Sequence, residues 1–442
     1  MSRPWTGHKG PVVSVGSRSR DRRRERRGSG PVSFPDGTAT RHRVLEGVRM
    51  RRRARRWARA LVGSRLTRRY LWARWVMSRA NALVARRRLY RRTSVEWDMP
   101  GHARLVYSDI LGPRRGEVLV RTIASAVSPG TERAGFRSET TSAKFPALPG
   151  YSLTGEVVAR GRGVREGAVG AIVATQAPHA SLVVRPHDLV FQLGPGTDPV
   201  HAAILYPGMI ALHGIWRGGL QPGDRVLVYG RGLIGQLTLL LARALRAAEV
   251  VSVARSRGRL SSAMLSAADS VLATGEGERP EAGEADLVVE ASGNPRAISE
   301  AVEAVRPGGR IVLLGSPRQA IPFDFASAAD RRVTLIGAHI STLSRDIRSS
   351  GNDYRSAAAT FLRLIDDGLI DVGSLIGEEV DPWEAGRFYR RLSQRGLTIA
   401  GAVFRWDLLP DSDRGGPIGF FTPPIDDLSR GMTFRREPMG IS

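Results

Sequence analysis

The sequence predicts an α/β protein in which an irregular β domain is joined to a doubly wound, parallel-sheet domain, preceded by a basic N-terminal arm. Three observations predict it. A G-x-G-x-x-G run follows directly on a short apolar strand, Val226-Leu227-Val228-Tyr229. From Arg225 to Ser316, apolar strand runs alternate with helical stretches. From about Ser94 to Val190, short β runs are split by Pro-Gly and Gly-Pro turns with no helical period between them.

Composition narrows the chemistry. At 442 residues the chain has room for two or three domains and a large core. It has no Cys, which excludes disulfides, thiolate metal ligands and a cysteine nucleophile. Lys9 and Lys144 are its only lysines, which argues against Schiff-base or Tyr-Lys relay chemistry. The net charge of +25 is unevenly placed: residues 1–95 hold 28 Arg or Lys against 4 Asp or Glu, and the remainder 39 against 38. The body of the chain is nearly neutral, so its high isoelectric point is no nucleic-acid signature of the whole protein.

The arm comes first, at 1–93. Residues 1–44 are rich in Gly, Ser, Pro and Arg without an apolar period, the composition of disorder. Residues 45–92 interleave Trp57, Leu61, Tyr70, Trp72 and Trp75 with arginines, but no apolar stretch approaches a membrane span and no secretory-signal layout is present. Three readings stay open. The arm is an interfacial helix on an anionic membrane, a tether to RNA or DNA through phosphate neutralisation, or upstream sequence ahead of a start at Met50, Met77 or Met99.

The irregular β domain follows at 94–210, with strand runs Val95-Glu96-Trp97, Arg104 to Tyr107, Glu117 to Arg121, Glu156 to Val158 and Gly170 to Val173. A helical stretch, His201 to Trp216, leads into the parallel-sheet domain at 211–338. There Gly230 permits the turn after the strand, Gly232 lets the backbone approach a pyrophosphate, and Gly235 lets the next helix pack close to the sheet. Leu233 and Ile234 open that helix, whose free N–H groups suit phosphate. A second strand runs from Glu249 to Val253, and further strands from Asp286 to Glu290 and Arg310 to Leu314. Ser292, Gly293, Gly315 and Ser316 stand just past strand ends, where such sheets bind ligands. Past the second strand the chain reads Arg255, Ser256, Arg257, with no acid in reach along the sequence. A carboxylate there suits NAD, and a guanidinium suits the 2′-phosphate of NADP, so the pattern favours NADP. Residues 339–406 return to mixed character, and the Pro- and Gly-rich tail, 407–442, is expected to be loosely attached.

Five motifs in order carry a family resemblance: Gly116 to Arg121; Leu148-Pro149-Gly150 with Gly155 to Val158; Gln221 to Val226; the glycine run; and Arg306 to Val312. Over about 94–406 the chain resembles the medium-chain dehydrogenase/reductase superfamily, whose alcohol-dehydrogenase-like members pair a GroES-like β domain with a Rossmann domain. The resemblance implies an oxidoreductase. Zinc members hold metal with Cys, a His-Glu pair and a further Cys or Glu; the matching positions here look like Ser128, Tyr151-Ser152 and Tyr206, none a good zinc ligand. A zinc-independent member is therefore expected, with no metal site. The resemblance also places Tyr151, Ser128 and Thr131 facing the nicotinamide, which implies that Tyr151 polarises or protonates a substrate oxygen while Ser128 or Thr131 relays the proton. Glu132 is a leftover carboxylate, and His213 sits in a family-like helix segment and reads as packed.

The segment Ser128 to Arg133 is similar to the subgroup that includes bacteriochlorophyllide a dehydrogenase, which leans the expected reaction toward a secondary alcohol and ketone of specialised metabolism. A zinc-less quinone or enone reductase is one alternative. A non-enzymatic NADPH-binding protein whose arm binds RNA or a membrane is another. A small-molecule substrate bounded by loops around Phe136, Ile340 and 341–353, a cytoplasmic location and a homodimer through edge strands complete the expectations.

Overall fold

The computed structural model of the chain describes residues 76–83, 87–140, 143–257, 262–316, 323–343, 352–394, 399–419 and 433–434. The arm readings that rest on residues 1–75 lie outside these. Seventeen strands are described: β1 (Leu89–Met99), β2 (His102–Leu111), β3 (Glu117–Val127), β4 (Leu153–Arg160), β5 (Ile172–Thr175), β6 (Leu182–Pro186), β7 (Val190–Gln192), β8 (Arg225–Tyr229), β9 (Glu249–Ala254), β10 (Ser270–Ala273), β11 (Ala285–Glu290), β12 (Val305–Leu313), β13 (Thr334–Gly337), β14 (Glu378–Val380), β15 (Ala402–Arg405), β16 (Gly416–Ile418) and β17 (Thr433–Phe434). They form three sheets.

The six-stranded sheet has the order β10-β9-β8-β11-β12-β13, every pair parallel. Its first strand in sequence, β8, is central, and the chain winds outward from it in both directions. The strand order therefore reverses between β8 and β11, which opens a crevice at their C-terminal ends. Both faces are covered, as parallel sheets require. Val226 and Val228 of β8 face a layer that includes Leu237 and Leu241 of the fingerprint helix, Leu233–Ala244, and Met209, Leu212 and Ile215 of the linking helix, Leu205–Gly218. Leu227 and Tyr229 face the opposite layer, with Ala297 and Ala301 of the helix Pro295–Ala304. The expected helix from His201 to Trp216 is two pieces, Pro199–Ala202 and Leu205–Gly218, and Gly219 closes the second in the left-handed region at φ +60°.

The seven-stranded sheet has the order β14-β15-β3-β4-β5-β7, with β6 also paired to β3. The return segment rejoins the β domain here, since β15 lies antiparallel to β3, with Val403 opposite Ala126. The four-stranded sheet runs β16-β1-β2-β17.

That last sheet differs from the expectation at both chain ends. Strand β1 begins at Leu89 rather than near Ser94, and a helix at 76–83 precedes it. Arginines there are structural: Arg79 Nη1 and Arg91 Nε reach the two oxygens of Asp109 at 2.5 and 3.1 Å, with the Asp109 side chain 1% exposed. Arg92 Nε donates to Ser108 Oγ at 3.0 Å. Nor is the first part of the tail loose. Leu409 is buried, Tyr107 donates to Asp413 Oδ1 and Thr93 Oγ1 to the Asp413 carbonyl, each at 2.6 Å, and β16 pairs with β1. Turn-rich composition conceals so short an edge strand because its partner lies more than 300 residues away.

Replacing Asp109 with Ala takes from two buried guanidiniums the carboxylate they share. Breaking such a pair costs about 3 to 5 kcal/mol, so Asp109→Ala is expected to lower the denaturant midpoint by an equivalent amount. A change under about 1 kcal/mol would show that the upstream arginines do not anchor the sheet.

Candidate functional site

The crevice is built by glycines whose surroundings differ. Gly235 packs the fingerprint helix against the strand turn: a Cβ there would stand 1.9 Å from the Gly230 carbonyl oxygen. Gly230, at φ +109°, lies against the next loop, and its Cβ would meet Ser292 N at 2.9 Å. Gly232 is the opposite case, since a Cβ there would meet nothing within 4 Å. It is the N-cap of the fingerprint helix, whose first N–H groups have no partner within the helix. Leu233 is buried in the core and Ile234 packs against it. The arrangement fits a pyrophosphate of a dinucleotide, with backbone approach at Gly232 and donors at a 12-residue helix start.

The facing wall is organised by Glu290, which the sequence reading used only as a strand end. Its side chain is fully buried at the end of β11. Oε1 accepts from Ser292 N at 2.7 Å, from the Ser292 hydroxyl, and from Gly293 N at 2.9 Å. Its carbonyl accepts from Leu314 N and Gly315 N at 2.9 and 2.7 Å. One residue thus ties the loop after β11 to the loop after β12. Gly293, at φ +67°, and Gly315 are so close that a Cβ on Gly293 would be 2.8 Å from the Ser316 carbonyl oxygen. Burial raises the Glu290 carboxyl above its ordinary range, against the pull of its hydrogen bonds to Ser292 and Gly293. Gly230, Ser292, Gly293, Gly315 and Ser316 are brought together as expected of one crevice. An acid ending an apolar strand, two residues before Ser292-Gly293, was the available signal for Glu290.

At the end of β9 the fold alters the charge reading. Arg255, Ser256 and Arg257 are all exposed. The absence of acid along the sequence does not hold in space, because the loop after β10 carries Glu276 and Glu278 to Arg257, whose backbone N–H and guanidinium they accept from. Arg255 has no ion pair among the described residues. Arg231, inside the fingerprint, holds the loop in place by donating to the carbonyls of Ser256 and Arg257, and to that of Leu272 at 3.1 Å.

On the β-domain side, Tyr151 is half-buried and its hydroxyl faces the side chains of Ser128 and Thr131. Burial pushes this phenol well above its usual range; the charge of Glu132 and the ionisable hydroxyl of Tyr206 add to the shift, and the hydroxyls of Ser128 and Thr131 oppose it. Ser128 is buried and Thr131 exposed, so the three hydroxyls run from the interior to the surface. Tyr206 meets Tyr151 edge-on with ring centres 5.3 Å apart. Ser152 serves the backbone: its hydroxyl donates to the Ala203 carbonyl at 2.6 Å and accepts from Tyr206 N at 3.1 Å.

Behind this row lies a buried polar network that sequence reasoning missed. Glu132 Oε1 accepts from Ser128 N at 2.8 Å, and Oε2 accepts from the Tyr389 hydroxyl and stands 3.1 Å from His179 Nε2. His179 Nδ1 lies 2.7 Å from Ser125 Oγ, which accepts from Trp406 Nε1 at 2.8 Å. Ser125, His179 and Glu132 have the spacing of a nucleophile, base and acid, but exposures of 0%, 0% and 2% bar any substrate from the serine. The partners lie far apart in sequence, and nothing in their local pattern marks them.

Other expectations are placed more simply. His213 is buried, with Nε2 2.9 Å from Thr342 Oγ1, and burial with the nearby Arg217 holds its imidazole below the usual range. Phe136 is not a pocket wall: it is 1% exposed and stacks on Tyr389 at 5.4 Å, because its helix turns it into the aromatic core. Ile340 stays partly exposed, and most of 341–353 lies outside the described residues. The positions that look like metal ligands hold Ser128, Tyr151, Ser152 and Tyr206, a donor set of hydroxyls that does not fit zinc. Among the described residues no group of three His, Asp or Glu could hold a metal ion, and no helix is long and apolar enough to cross a membrane.

Comparison with known proteins bears on the family. A family model described as zinc-binding dehydrogenase matches residues 234–357. D-xylulose reductase A of Aspergillus oryzae is 27% identical over 208 residues, which is 45% of this chain and 55% of that protein. The chain thus spans little more than half the length of the curated relatives it matches. Among solved structures, a Sinorhizobium meliloti protein bound to NADP superposes with a TM-score of 0.62 at 21% identity, over 71% of this chain and 99% of that one. An Escherichia coli alcohol dehydrogenase complexed with NADH does so with a TM-score of 0.61 at 19% identity, over 72% and 99%. These structures share the fold. The matched model covers the parallel-sheet half of the chain, and the sequence likeness is to zinc-binding-type, alcohol-dehydrogenase-like enzymes.

Proposed function

We propose that the chain is an NADP(H)-dependent, zinc-independent oxidoreductase that interconverts a secondary alcohol and a ketone on a small-molecule substrate. The observation that carries this reading is the row of hydroxyls, Tyr151 facing Ser128 and Thr131, of which Tyr151 and Ser128 stand at positions that resemble the metal-ligand positions of zinc members. With no thiolate, imidazole or carboxylate there, hydrogen-bond donors are left to manage the substrate oxygen.

Bound nicotinamide supplies or accepts the hydride. The chain's own residues do the rest. Gly230, Gly232 and Gly235, with the N–H groups at Leu233 and Ile234, hold the pyrophosphate, and Ser292, Gly293, Gly315 and Ser316 form the opposite wall. Arg255 grips the 2′-phosphate, since Arg257 is already engaged by Glu276 and Glu278. Tyr151, kept protonated by burial, donates to the developing alkoxide, and the exposed Thr131 hydroxyl passes the proton to and from water. The D-xylulose reductases among the relatives make a ketose and its polyol the first pair to assay.

A homodimer belongs to the same proposal. Among the described residues β13 is an edge strand with a single neighbour, Leu335 on it is 38% exposed, and Phe325 in the preceding helix is 74% exposed.

Two measurements test the reading. Arg255→Ala is expected to weaken NADPH binding about tenfold, roughly 1.4 kcal/mol, with NADH binding unchanged and Arg257→Ala much milder. Equal binding of both coenzymes by the intact chain would remove the phosphate assignment. Tyr151→Phe is expected to lower kcat for NADPH-dependent reduction of D-xylulose about tenfold or more. An unchanged rate would remove Tyr151 from the chemistry, and turnover of enones in place of ketones would favour hydride delivery to carbon β to a carbonyl.

A further inference from the structure

We propose that Glu132 is a positioning residue: its carboxylate, locked by His179 and Tyr389, fixes the backbone of Ser128 so that the Ser128 hydroxyl is left to face Tyr151. This rests on the reading of Tyr151 as the group that meets substrate oxygen.

The geometry begins at a helix start. Ser128 is the N-cap of the helix Pro129–Phe136, a position where serine normally spends its hydroxyl on the N–H groups of the first turn. Here it makes no such bond. The end is held instead from the other side, by Glu132 Oε1 accepting the Ser128 N–H at 2.8 Å.

The carboxylate is itself locked. His179 Nε2 stands 3.1 Å from Glu132 Oε2, and in the tautomer that donates there Nδ1 is left to accept from Ser125 Oγ at 2.7 Å. Ser125 Oγ also accepts from Trp406 Nε1. Every group named in the network is buried. His179 also touches the other half of the site. Its N–H donates to the Pro149 carbonyl at 2.8 Å, and a Cβ on Gly150 would stand 2.6 Å from its ring. One buried dyad therefore sets the backbone beside Ser128 and beside Tyr151.

The test uses the full chain. Glu132→Ala is expected to lower kcat for NADPH-dependent D-xylulose reduction at least about tenfold, with KM for NADPH within about twofold, and Glu132→Gln, which keeps one acceptor, to recover part of that loss. In a Tyr151→Phe chain, Glu132→Ala should cost under about threefold more, since both changes act on one device. Losses that multiply would overturn the proposal. Independently of any substrate, Ser128 amide hydrogen exchange should quicken at least about tenfold in Glu132→Ala while the fingerprint helix is unaffected; unchanged Ser128 exchange overturns it as well. If neither Glu132 variant shows cooperative unfolding, Tyr389→Phe must give the same kcat-only loss, and full activity there counts against the proposal. Full turnover by Tyr151→Phe alone would instead sink the reading of Tyr151 and leave the exchange result to stand by itself.

Discussion

The constraint on which the cleft depends is the contact between the turn after β8 and the turn after β11. With Gly230 set so that a Cβ would be 2.9 Å from Ser292 N, the two strand ends are as close as backbone allows. That closeness follows from strand order, because β8 and β11 pair directly although an entire winding of the chain, β9 and β10, lies between them in sequence. It confines glycine to positions 230, 293 and 315 by sterics. It also leaves the N–H groups of Ser292 and Gly293 without strand partners, which a buried acceptor must satisfy. Glu290 is that acceptor.

Two buried carboxylates then define the two sides of the site by different means. Glu290 is satisfied by its own loop, one strand end away, and the balance between its desolvation and its hydrogen bonds leaves its carboxyl above the ordinary range. Glu132 is satisfied by a helix start, a loop histidine and a tyrosine from the return segment. The first braces the loop of Ser292 and Gly293, and the second holds the backbone N–H of Ser128. An unpartnered carboxylate at either depth would be costly, so each reports how fully its surroundings are organised.

The arginines show why charge counted along a chain misleads about charge in space. Arg79 and Arg91 converge on Asp109 inside a sheet, so part of the basic arm is a buried ion pair rather than a solvated face. Arg231 spends its guanidinium on backbone carbonyls, and Arg257 is neutralised by acids from the next strand over. Arg255 is left exposed at the rim. Of the two arginines there, Arg255 is the one without an ion pair among the described residues.

By itself the sequence determined the parallel-sheet domain. Its strands are nearly unbroken apolar runs, its helices carry local periodicity, and the glycine run states a steric requirement that any folded form must meet. Tyr151, Ser128 and Thr131 were legible through the motifs around them, and the fold places them together. Only the tertiary structure decided the rest. It brought Glu276 and Glu278 to Arg257, drew Leu409 and Asp413 of the expected loose end into the β domain, turned Phe136 inward, and joined Glu132 to His179, Ser125 and Tyr389. Each of these depends on partners dozens to hundreds of residues apart, and hydrogen bonds between such partners leave no period in the sequence, because what selects them is the free-energy cost of an unsatisfied polar group once the surrounding elements have packed.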